Sequence, residues 1–106
     1  MKNDISFILT DVLNLYEHQS TFSPNLPLRG VFYFARLYQK MIGNEKKLYS
    51  GKLVKLPYPQ FVVFYNGTME EPERQVLELQ DAFPEWTKKE NAALNCKAVV
   101  LNINLG

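Results

Sequence analysis

Apolar and polar residues alternate from the start of this chain. Between Asp4 and Leu9, the apolar positions Ile5, Phe7 and Leu9 alternate with Asp4 and Ser6, the period of a strand with one buried face. Val12 to Gln19 continues in the same style, and Thr10-Asp11 between the two runs predicts a tight turn. Residues 20–27 hold two prolines, an asparagine and three hydroxyl side chains, and read as loop. Asn25 stands as N-cap to a helix with Pro27 in its first turn. From Leu28 to Ile42, Leu28, Val31, Phe32, Ala35 and Ile42 keep helical spacing, with Gln39 the one polar member of that row. Phe34, Leu37, Tyr38 and Met41 add a second apolar stripe, which predicts a helix covered on most sides. Arg29, Arg36 and Lys40 share the remaining polar stripe, and Gly43-Asn44 ends the helix.

Phe61-Val62-Val63-Phe64-Tyr65 is a continuous apolar run closed by Asn66-Gly67, the pattern of a central strand covered on both faces. Gln75 to Leu79 is a weaker strand signal. Ala98 to Leu105 is a stronger one, with Leu101, Ile103 and Leu105 alternating with Asn102 and Asn104. The pattern predicts an α/β domain with a mixed β-sheet and a flanking helix. Its strand–helix–strand unit, from Leu13 to Tyr65, is expected to cross over right-handed.

Composition narrows the function. A chain of 106 residues suits one small domain spanning residues 1–106. One cysteine forms no internal disulfide, and with one histidine it falls short of the three or four ligands of a His/Cys zinc site. No apolar run approaches the ~20 residues of a membrane span, and the start Met1-Lys2-Asn3-Asp4 leads to no small-residue cleavage site, so a soluble cytoplasmic protein is expected. The twelve Lys and Arg nearly balance the eleven Asp and Glu, yet they are unevenly placed. Residues 29–55 carry seven basic side chains and one acid, whereas residues 66–90 carry seven acids and three basic side chains. The basic block is a candidate polyanion surface. On charge alone a solvated helix edge and loop is the simpler reading, because a pI near 7.8 falls short of a typical nucleic-acid binder.

Candidate chemistry lies in the first twenty residues. A hairpin turning at Thr10-Asp11 sets Leu9 against Val12, Phe7 against Asn14 and Asp4 against Glu17. Opposed residues hold their Cβ atoms ~5 Å apart on one face, where two carboxylates repel. A divalent cation is the simplest compensation, since Mg²⁺ is held by one or two carboxylates together with water and phosphate oxygens. Gln19 falls on the face of Glu17 and His18 on the opposite one. A one-residue slip separates the two acids. On geometry alone a solvated Asp4 therefore stays the simpler reading and a metal site the alternative.

The same residues carry a resemblance. Leu15-Tyr16-Glu17-His18-Gln19-Ser20-Thr21-Phe22-Ser23-Pro24-Asn25-Leu26-Pro27-Leu28-Arg29 resembles a signature of the Rpn-type recombination-promoting nucleases, a transposase-associated branch of the PD-(D/E)XK nuclease superfamily. The likeness continues through Phe32-Tyr33, Leu37-Tyr38, the run from Lys55 to Gly67 and Leu101-Asn102-Ile103-Asn104. It covers almost the whole chain. Its Glu-His-Gln-Ser-Thr core and Phe-Tyr-Asn-Gly turn are specific together rather than singly. The resemblance implies a mixed sheet with flanking helices, Asp4 as the motif acid, Glu17 as the second acid, and Gln19 where the superfamily usually has lysine. It further implies Mg²⁺- or Mn²⁺-dependent hydrolysis of DNA phosphodiesters, with Asp4 and Glu17 holding the metal and Arg29, Arg36 and Lys40 as phosphate contacts. A solvated helix edge remains the alternative for these three. Gln19 neither takes a proton as a neutral lysine does nor offers a positive charge, so its implied role is positioning by hydrogen bonds. Family members have a helix and a strand before the motif acid and a long region after the last strand. This chain has three residues before Asp4 and ends at Gly106, so it is expected to be a partial member lacking the usual N-terminal helix. The alternatives to an active nuclease are a non-catalytic DNA-binding module and a decayed remnant that self-associates through a bare sheet face. Tyr16 and Tyr33 are expected in the core or at its rim, Trp86 in a surface groove, and Cys96 as an inert buried thiol.

Overall fold

A computed structural model describes residues 5–9 and 11–104. Five strands form one sheet: β1 (Ile5–Leu9), β2 (Val12–Gln19), β3 (Tyr58–Tyr65), β4 (Arg74–Glu78) and β5 (Lys97–Asn102). Their spatial order is β1-β2-β3-β5-β4. The three inner strands run parallel and the two edge strands antiparallel to their neighbours. The helix α1 (Leu26–Ile42) links β2 to the adjacent parallel β3, as a crossover must. The chain is thus an α/β fold with a mixed sheet and a flanking helix. No helix among the described residues is long and apolar enough to cross a membrane.

α1 starts as its sequence directs. Pro27 occupies its first turn, where its missing N–H costs nothing. Asn25 takes the N-cap position, but its side chain caps nothing; its carbonyl accepts from the Arg29 N–H at 3.1 Å. Gly43 closes the helix at φ 73°, a left-handed conformation that favours glycine.

Strand alternation then sorts the faces. On β2, Leu13, Leu15, Glu17 and Gln19 are buried while His18 is exposed. The core combines Leu13 and Leu15 with Leu26 and Phe34 of α1, Phe61, Val63 and Tyr65 of β3, and Ala98 and Val100 of β5. Gly30 permits close contact between helix and sheet: a Cβ there would stand 2.9 Å from the Phe61 ring and 3.0 Å from the Cys96 Sγ.

Five expectations are corrected. The hairpin register is shifted by one residue, with Leu9 opposite Leu13, Phe7 opposite Leu15 and Ile5, not Asp4, opposite Glu17. Thr-Asp lacks the left-handed preference that a two-residue hairpin needs, and the connection takes an extra residue. Asp4 and Thr10 themselves lie outside the described residues. Second, α1 is covered on one side only. The stripe of Phe34, Leu37, Tyr38 and Met41 packs on the sheet, whereas Leu28 and Phe32 are 43% and 53% exposed, because one helix against one sheet has only one face to bury. Third, β3 is central but covered on one face. Phe61, Val63 and Tyr65 are buried, and Val62 and Phe64 only half-buried, since no second α-helix is present among the described residues. Fourth, β5 begins at Lys97 and buries Ala98 and Val100, the opposite parity to Leu101, while Ile103 lies beyond the strand and is 43% exposed. Trp86 is also exposed rather than set in a groove. Cys96 is half-buried against the core, and burial raises its thiol pKa.

The turn after β3 depends on Gly67. A Cβ there would collide with the Ser20 carbonyl oxygen and the Tyr65 ring edge. Around it the Tyr65 hydroxyl accepts from the Met69 N–H at 2.9 Å, and the Ile103 N–H donates to the Tyr65 carbonyl at 2.9 Å. Because one obstacle is backbone, Gly67→Ala should cost about 1–3 kcal/mol, read as a fall of several degrees in the thermal midpoint.

Candidate functional site

The buried row of β2 begins with two leucines and ends with two polar residues. Leu13 and Leu15 are followed on the same face by Glu17, with no exposure, and Gln19, 2% exposed. A buried carboxylate needs partners, and the first turns of α1 supply them. Arg29 Nη2 donates to Glu17 Oε1 at 2.6 Å, and the Tyr33 hydroxyl donates to the same oxygen at 3.2 Å. The Tyr33 hydroxyl in turn accepts from Arg29 Nε at 3.1 Å and Nη2 at 2.8 Å. Arg29 and Tyr33 stand one helical turn apart, so both side chains reach β2 from the same edge of α1. Gln19 Nε2 donates to the second oxygen, Glu17 Oε2, at 3.2 Å, while Gln19 Oε1 is buried with no hydrogen-bond partner among the described residues.

Burial raises the Glu17 pKa above its ordinary value. The nearby Arg29 charge and the hydrogen bonds from Tyr33 and Gln19 pull it back only in part. Deleting one partner of such a pair costs about 3–5 kcal/mol, because a buried charge is left alone. Glu17 and Gln19 lie at the carboxyl end of β2, beside the carboxyl end of parallel β3, the usual location of sites in α/β sheets.

The expected site residues separate into three groups. Glu17 and Gln19 come together on one face, with His18 turned away as parity required. Arg29, expected to meet a phosphate, is ion-paired to Glu17. Arg36 and Lys40 are exposed on α1, away from the carboxylate network. Asp4 lies outside the described residues. Tyr33, read from sequence as core or rim, is a member of the site. Its signal was the i,i+4 spacing from Arg29 together with a glutamate in phase with two core leucines.

Among the described residues no group of three or more His, Cys, Asp or Glu side chains gathers as metal ligands do. The donors at this site are nevertheless of the right kind for a hard cation. Glu17 Oε2 and the unpartnered Gln19 Oε1 are both oxygens, and Mg²⁺ takes few protein oxygens beside water and phosphate. The comparisons find no matching family model, curated protein or solved structure.

The raised Glu17 pKa predicts the sign of a pH dependence. An acid with a higher pKa in the folded state holds its proton to higher pH when folded than when unfolded. Its contribution to stability therefore falls as pH rises from 4.5 through the folded pKa. Relative to Glu17→Gln, which has no proton to lose, wild type should melt progressively lower across that interval, measured by thermal unfolding at stepped pH.

Proposed function

We propose that this chain carries a PD-(D/E)XK-type nuclease core of the Rpn, recombination-promoting kind, acting on DNA phosphodiesters with Mg²⁺ or Mn²⁺. The observation that carries the reading is the polar end of the β2 row. A fully buried carboxylate stands beside a buried amide oxygen that no group among the described residues satisfies, at the carboxyl end of a parallel strand and directly before a helix bearing basic residues. A structural ion pair explains Glu17 and Arg29 but leaves Gln19 Oε1 unsatisfied, at a cost a fold does not normally carry.

Glu17 and the Gln19 oxygen would hold the metal; with Ile5 rather than Asp4 opposite Glu17, Asp4 is not counted among its ligands. A bound divalent ion lowers the pKa of its water and stabilises charge developing on a phosphate. The remaining roles belong to the chain. Tyr33 orients the carboxylate, and the Gln19 amide positions by hydrogen bonding without accepting a proton. Arg36 and Lys40, on the exposed side of α1, are placed to meet a DNA backbone. The expected result with supercoiled plasmid is metal-dependent nicking that disappears in Glu17→Ala and falls sharply in Gln19→Ala. Nicking that survives both changes refutes the assignment.

One observation favours a second reading, a non-catalytic, self-associating domain. The sheet face opposite α1 carries Tyr16, Val62, Phe64, Val99 and Leu101, all half-buried. Tyr16 and His18 both stack on Phe64, with ring centroids 6.1 and 5.2 Å apart. An apolar face of this kind invites association. This reading expects wild type to associate with rising concentration in sedimentation velocity and Phe64→Lys to do so less. A wild type that stays monomeric throughout removes it.

A further inference from the structure

Building on the metal-dependent reading above, we propose that Arg29 is an exchangeable counter-ion for Glu17. Its guanidinium neutralises the buried carboxylate while no divalent cation is bound, and it is displaced when a cation enters. Glu17 is wholly inaccessible, whereas the Arg29 side chain is 27% exposed and reaches from the carboxylate to solvent. The guanidinium therefore covers the carboxylate on its solvent side. Two donors already occupy Glu17 Oε1. A divalent ion and a guanidinium on one small carboxylate repel each other strongly in a poorly hydrated site. The two cations thus compete for the same charge.

Two features suit exchange rather than a permanent pair. Arg29 leaves Gln19 Oε1 without a partner, and an oxygen-seeking cation satisfies it. Tyr33 gives the displaced guanidinium somewhere to go. Its hydroxyl already accepts from both Nε and Nη2, and its ring lies 5.8 Å from the Arg29 Cζ. Arg29 can leave Glu17 by side-chain rotation on Tyr33, with α1 unmoved. The same release frees the guanidinium for the phosphate contact expected of it.

The test is Mn²⁺ binding to the full chain at fixed ionic strength, by calorimetry and by thermal midpoint, for wild type, Arg29→Met and Arg29→Lys. Arg29→Met should melt below wild type in EDTA and bind Mn²⁺ about tenfold more tightly, with Arg29→Lys between them. If Arg29→Met does not fold in EDTA, the expected result is that Mn²⁺ restores its cooperative melt. Tighter binding in Arg29→Lys than in wild type then carries the comparison. Wild type that binds Mn²⁺ at least as tightly as both variants overturns the exchange and makes Arg29 a positioning residue, while the metal-dependent reading stands. No Mn²⁺ binding by wild type or either variant overturns both.

Discussion

The arrangement of this fold depends on one constraint: a carboxylate sits where a core side chain would otherwise be. Period-two geometry sends Glu17 to the same face as Leu13 and Leu15, and burial makes its charge costly. Arg29 and Tyr33 answer that cost from α1. The contacts tie the first turns of the helix to the carboxyl end of β2, while Phe34 and its apolar neighbours hold the following turns against β3 and β5. The helix is thus held by a polar clasp at one end and apolar packing along the rest.

That clasp has a chemical consequence. Among the described residues its donors address the two oxygens of Glu17 unequally, with Arg29 and Tyr33 on Oε1 and the Gln19 amide on Oε2. An amide cannot satisfy its own carbonyl, so the network ends in an unmet acceptor. Folding alone gives no reason to bury such a group. The second sheet face raises a separate question of covering. A single helix shields one side of a sheet, and the aromatic and aliphatic residues of the other side are left half-buried.

Much of the architecture was legible in the residues. Pro24 and Asn25 before α1, Pro27 in its first turn, the Gly43 stop, the apolar block of β3 and the parity that separates His18 from Glu17 and Gln19 all act within a few residues of one another. The departures share a different cause. The hairpin register turned on how many residues the connection absorbs, and one residue was enough to set Ile5 rather than Asp4 opposite Glu17. The inward stripe of α1 was ambiguous because two apolar stripes competed. Only the position of the sheet selected Phe34 and Tyr38 over Leu28 and Phe32.

By itself the sequence determined which segments are strands and helix, the mixed α/β class, and the pairing of Glu17 with Gln19 on one face, because local periodicity and capping suffice for these. Tertiary structure alone decided what those two residues meet. The arrival of Arg29 and Tyr33 at the carboxylate depends on α1 folding back across β2, with Gly30 allowing close contact to Phe61. Such a contact joins residues twelve and sixteen positions apart, and no local period encodes it.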